Sequence, residues 1–133
     1  MNEVIEKLQE LSETVPIPLE LPDFEQLVDV EELILIPLPA ELKEYLLSGS
    51  DVIVGTLEPV TAADPYSHTY LPEVASYAWS IGLPRDVIPI CQVGDDFYCM
   101  DQNGQIDFWQ NGEFCDDIYE SFWQWAEEVW LQS

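Results

Sequence analysis

The sequence predicts a single α+β domain: an antiparallel meander sheet packed by about four to five helices. Three observations carry that prediction. Apolar residues recur at helical spacing up to Ile81, then alternate with period two from Asp86 onward. Two Asn–Gly dipeptides, Asn103–Gly104 and Asn111–Gly112, are placed to close hairpins inside the alternating stretch. The chain has 133 residues, 47% of them apolar, with five Trp, six Tyr and five Phe, which suits one hydrophobic core.

The elements follow in order. Val4, Ile5, Leu8 and Leu11 give a short amphipathic helix over Asn2–Thr14, with Asn2 as N-cap. Val15–Pro22 contains Pro16, Pro18 and Pro22 and is expected to run extended as a connector, because proline supplies no backbone donor. Asp23 is placed to cap a second helix through Phe24, Leu27, Val28 and Glu31 that ends before Pro37. We read residues 1–22 as the opening helix and connector of the same domain as 23–133.

A third helix starts at Pro39, shares Leu42, Tyr45 and Leu46 on one face, and stops at Gly49, expected as a left-handed C-cap. Asp51–Leu57 reads as a strand after the turn at Ser48–Ser50, and Glu58–Tyr70 as loop. Pro72 opens a fourth helix with Val74, Tyr77, Ala78 and Ile81 on one face, closed by Gly82 and Pro84. Strands are then expected at Val87–Val93, Phe97–Asp101 and Gln105–Trp109, with a fourth near Glu113–Cys115. Two-residue turns would set Cys99 opposite Phe108, Tyr98 opposite Trp109 and Phe108 opposite Cys115. A last helix is expected from about Asp117, with Asp117 and Glu120 at capping-box spacing and a core stripe of Ile118, Phe122, Trp125 and Val129.

Charge is the outstanding feature of the composition. The chain has 27 Asp and Glu against Lys7, Lys43 and Arg85, a formal net charge of -24. Such a field repels nucleic acid and anionic membranes and speeds encounter with a cationic partner by about 10 to 1,000-fold at low salt. Acidity also serves solubility alone, and composition does not separate the two uses. No basic stretch followed by an apolar one opens the chain, and the apolar run Leu33–Ala40 is broken by Pro37 and Pro39, so a cytoplasmic protein is expected.

Catalytic and metal motifs are sparse. Cys91, Cys99 and Cys115 form no CxxC pair and read as reduced, packed thiols; His68 is the sole histidine, which leaves a zinc site short of ligands. Asp95–Asp96 and Asp116–Asp117 are adjacent acids, but adjacency is expected by chance in so acidic a chain, and glycoside hydrolysis needs a set carboxyl separation across a cleft. Asp101–Asp107 departs from a calcium loop in the place of its glycine and is explained as a turn. No catalytic, cofactor or metal residue is assigned, and no cofactor is expected.

Several segments, in order, resemble the SUKH superfamily and its Smi/Knr-like branch. They are LPAELKEYLL over 38–47, DVIPI over 86–90, GDDFYCMD over 94–101, GQIDFW over 104–109 and SFW over 121–123. The resemblance spans roughly Asp23 to Leu131 and departs from the family at Ser48–Ser50, where a glycine-rich turn is usual. It implies an α+β fold with a central sheet packed by helices. It also implies a binding function: bacterial members are chiefly immunity proteins that neutralise toxins, and fungal members regulate cell wall and signalling through protein contacts.

Composition and resemblance together give the expectation of a non-enzymatic module for a basic protein, such as a cognate toxin domain, with no nucleic acid and no membrane. Acids in loops and turns are the interface candidates: Asp51, Glu58, Asp64, Asp95, Asp96, Asp116 and Asp117. Tyr66, Tyr70 and Trp109 are the candidate aromatic anchors, because binding hot spots favour Tyr and Trp. The alternatives are a regulatory scaffold for endogenous partners and a metal-dependent hydrolase built on the acid pairs.

Overall fold

The computed structural model describes residues 3–12 and 20–133. Four helices precede the sheet: α1 (Glu3–Leu11), α2 (Phe24–Ile34), α3 (Ala40–Ser48) and α4 (Leu71–Ser80). The sheet is an antiparallel meander of β1 (Ile88–Val93), β2 (Asp96–Met100), β3 (Ile106–Gln110) and β4 (Glu113–Tyr119), in that spatial order. A fifth helix, α5 (Phe122–Trp125), runs on as a π-helical turn over Ala126–Trp130. The expected α+β class and meander therefore hold. The expected N-cap Asn2, and Thr14 and most of the connector, lie outside the described residues.

Local chemistry explains most boundaries. Asp23 caps α2 in a full capping box: its carboxylate accepts from Gln26 N, and the Gln26 side chain accepts from Asp23 N. Pro72 sits in the first turn of α4, where a missing N–H costs nothing. Gly82 follows that helix at φ 119, a region open to glycine. Gly49, by contrast, has φ -130 and not the expected left-handed conformation; its N–H still closes the helix on Tyr45 O at 2.7 Å.

The core sits between the sheet and the helices. Tyr45 of α3 stacks on Phe122 at 4.7 Å and meets Trp130 edge-on at 5.7 Å, while its hydroxyl donates to Val60 O. Trp125 and Trp130 are fully buried, so the aromatic C-terminal segment is core, as its pattern predicts. Val4, Ile5 and Leu8 bury one face of α1.

Other expectations fail as well. Asp51–Leu57 is not a strand: Val52 and Val54 point inward, but Gly55 turns at φ 61, and Ile53 N and Thr56 N donate to the Ser12 and Ser133 hydroxyls instead of to a neighbouring strand. The last helix does not begin at Asp117. β4 continues through Asp116, Asp117, Ile118 and Tyr119, helped by a bulge opposite Phe108, and Ser121 caps the helix by accepting from Gln124 N. The exposed Ile118 thus belongs to the strand and not to the helix stripe.

The β2–β3 hairpin is longer than its Asn–Gly suggests. Asp101 Oδ1 accepts from Asn103 N and Gln105 N, and Asp101 N donates to Gln105 O, leaving three residues in the loop. The register slips by one, so Tyr98 faces Phe108 and Cys99 faces Asp107. Phe108 does not meet Cys115 either, because the bulge interrupts the β3–β4 pairing there. The second turn behaves as expected: Asn111 and Gly112 have φ 55 and 83, and Gln110 faces Glu113. Finally, α4 buries Leu71, Val74, Ala75 and Ala78, while Tyr77 and Ile81, expected on its packed face, are partly exposed.

Candidate partner-binding surface

All three cations are held within the chain. Lys7 Nζ donates to Glu127 at 3.1 Å, and Lys43 Nζ lies 3.7 Å from Glu31. The Arg85 guanidinium stacks over Trp79 at 4.0 Å and reaches Ile34 O. The acids, in contrast, outnumber every cation that could neutralise them. The exposed surface is therefore predominantly negative.

The candidate residues fall into two groups. Asp51, Glu58, Asp64, Tyr66 and Tyr70 belong to the irregular 50–70 segment. Glu58 bonds His68 Nε2 at 2.7 Å, and Asp64 Oδ1 accepts from Tyr66 N in an Asx turn that presents an almost fully exposed Tyr66. Tyr70 is buried, and burial raises its hydroxyl pKa, with Asp29 and Glu73 adding to the effect. Asp51 is half-buried, with Oδ1 lacking a partner.

Two grooves meet at Glu58, His68 and Thr69. One, about 480 Å³, runs under Tyr45, Val52 and Leu57. The other, about 770 Å³, lies between Val74 of α4 and Gln92 and Gly94 at the end of β1. Thr61, Thr69 and Ser67 hydroxyls hydrogen-bond one another beside them. Among the described residues His68 bonds Glu58 and no hydroxyl or thiol, so no base–nucleophile pair is assembled.

The second group lies at the sheet. Asp95 accepts from the Tyr77 hydroxyl at 2.7 Å, a bond that raises the Tyr77 pKa, with desolvation a smaller cause. Asp96 Oδ1 accepts from Asn111 N and ties the β1–β2 turn to the β3–β4 turn. Asp116 and Asp117 are exposed on β4 beside Phe114 and Ile118. Trp109 is 4% exposed and tilts against Phe97 at 6.2 Å, so it is a core residue. Buried Tyr70 and Trp109 leave Tyr66 as the exposed aromatic of the three anchors expected.

Thiol chemistry is suppressed inside the sheet. Burial pushes the Cys91 thiol up to about 12, with the nearby Glu58 backbone opposing and its charge adding; burial and Asp107 push Cys99 up as well. The expectation of packed thiols holds for these two, whereas Cys115 is half-exposed on β4. No cluster of three His, Cys, Asp or Glu able to hold a metal occurs among the described residues.

Sequence reasoning missed the exposed apolar side chains. Phe24, Val28 and Leu35 of the α2 region stand in solvent, as do Phe114 and Ile118. A signal was present: α2 carries a second stripe, Leu27, Val30 and Ile34, and only one of two apolar faces can meet the core.

Comparisons with known proteins place this geometry in context. A crystal structure of a protein from Pseudomonas syringae pv. tomato is 53% identical, with 98% of each chain covered and a TM-score of 0.95. No curated protein matches. The family model SUKH_5, described as SMI1-KNR4 cell-wall, matches residues 1–131, so α1 lies inside the match as well as the segment from Asp23. With the helix-packed meander and the ordered motifs, that match places the chain in the SUKH_5 family of the SUKH superfamily.

Proposed function

We propose that the chain is a non-catalytic binding protein for a basic partner, of the immunity type that occludes a cationic toxin domain such as a nuclease. The observation that carries this reading is the charge: -24 overall, with Lys7, Lys43 and Arg85 all engaged within the fold. Buried high-pKa thiols and a histidine without a nucleophile partner support binding over turnover. The acids of the β1–β2 turn and of β4 are the electrostatic part of the interface.

The test is association of the purified chain with the cationic product of an adjacent reading frame. We expect the toxin's activity to be lost at stoichiometric addition; binding partners found only among unrelated endogenous proteins would overturn the immunity role.

A second reading is a regulatory scaffold that docks an endogenous protein in the groove between α4, the 56–60 segment and the end of β1. The cell-wall wording of the family description favours it. A metal-dependent hydrolase requires heat stabilisation by calcium, magnesium or manganese; melts with and without each ion decide that point.

A further inference from the structure

We propose that the outer face of α2 is a docking surface for an amphipathic helix of the partner, apolar on one face and rimmed by Lys or Arg; this rests on the basic-partner reading above. Two apolar stripes run along α2. Leu27, Val30 and Ile34 are buried against the core. Phe24 and Val28, spaced i and i+4, fall within about 40° of one another around the helix axis, and Leu35 follows directly as the C-cap of α2. The three are 73%, 50% and 78% exposed, and Leu21, just before the N-cap, is 44% exposed. Helix-in-groove and helix-on-helix recognition uses anchors of this kind and spacing.

Leu35 is informative beyond its exposure. It ends α2 at φ 63, ψ 25, in the left-handed region that favours glycine, with its N–H on Glu31 O at 2.9 Å. A leucine there is strained, and its largely exposed side chain brings little packing in return. Glycine would close the helix with less strain, so a leucine here accords with a docking role for its side chain.

Charge identifies the occupant. Glu25, Asp29 and Glu32 are exposed along one border of the stripe, and α2 contains no Lys or Arg. A second copy of this chain would bring its own -24 and the same acids against these, which opposes self-association through this face. A helix with Lys or Arg beside its apolar face satisfies both the stripe and its border.

The experiment uses the full chain and the triple variant Phe24→Ser, Val28→Ser, Leu35→Gly. Two peptides of about 18 Leu and Lys residues are titrated by calorimetry at 0.15 M salt, one in amphipathic order and one scrambled without an apolar face. The amphipathic peptide is expected to bind the triple variant at least about tenfold more weakly, the scrambled peptide to bind both proteins equally, and Tm not to fall. Equal affinity of the amphipathic peptide for both proteins overturns the docking surface and leaves the basic-partner reading standing. Failure of both peptides to bind the unaltered chain counts against the basic-partner reading itself. Sedimentation showing a dimer that the triple variant abolishes assigns the stripe to a second copy. A marked fall in Tm assigns it to packing within this chain, residues 13–19 included. Either result overturns the proposal.

Discussion

The two edges of the sheet are built in opposite ways. At β1 the edge is sealed: Val60 N donates to Ile90 O at 2.8 Å, Pro59 bridges Cys91, and Ile88 to Cys91 are buried. Pro89 fits there because an edge strand can spare a donor. At β4 no further strand is added among the described residues. Every residue from Glu113 to Tyr119 is exposed or half-exposed, with Phe114 and Ile118 standing among Glu113, Asp116 and Asp117. Natural edges are commonly blunted by charge, so the acids protect β4 from pairing with another copy of itself. The same acids leave it open to a segment of opposite sign. One edge is covered by the chain itself; the other is uncovered among the described residues.

Thiol reactivity gives the largest expected contrast between the edges. Cys91 has its thiol pushed up to about 12 from 9.0, so at pH 8 it holds about a thousandfold less thiolate than an ordinary cysteine. Alkylation of the native chain at pH 8 should modify Cys115 of β4 first and leave Cys91 and Cys99 until unfolding. Comparable rates for all three would break the comparison. The folded-state thiol pKa of Cys91 is raised, so its contribution to stability is complete below about pH 9 and lost as pH rises toward about 12. Urea midpoints should fall through that alkaline window, and Cys91→Ala should flatten part of the fall.

Substitution by alanine gives the next contrast. Ile90→Ala, in a fully buried site on β1, should cost about 2–5 kcal/mol, and Ile118→Ala on β4 within about 0.5 kcal/mol. Urea unfolding of the two variants measures both; equal losses would mean that β4 is covered. A smaller difference separates the hairpins. Asn111 has a positive φ, and Asn103 does not, so Asn111→Ala should destabilise by about 1–2 kcal/mol and Asn103→Ala by less, read from the same melts.

The hairpins also show why the fold was largely legible in the sequence and its details were not. Period two, turn dipeptides and proline–glycine punctuation depend on near neighbours, and they located four helices and the meander. The register of β2 on β3 depended on whether Asp101 or Asn103 organises the turn, and the Asp101 carboxylate won with two backbone donors. The Asp51–Leu57 strand failed because strand pairing needs a partner, and Ser12 and Ser133, distant in sequence, take two of its donors. At the surface, charge was readable from composition. The exposure of Tyr66 and the burial of Tyr70 and Trp109 were not, because aromatic residues suit a core and an interface equally.

The central claim is that an acidic surface whose Lys7, Lys43 and Arg85 are all engaged within the fold binds a basic protein. Stopped-flow association of the chain with a cationic toxin domain from 20 mM to 500 mM salt tests it most directly, with these concentrations set to span Debye lengths from roughly 20 Å to 4 Å. The account predicts that the association rate falls steeply, by about tenfold or more, while dissociation changes little. An association rate independent of salt would contradict it.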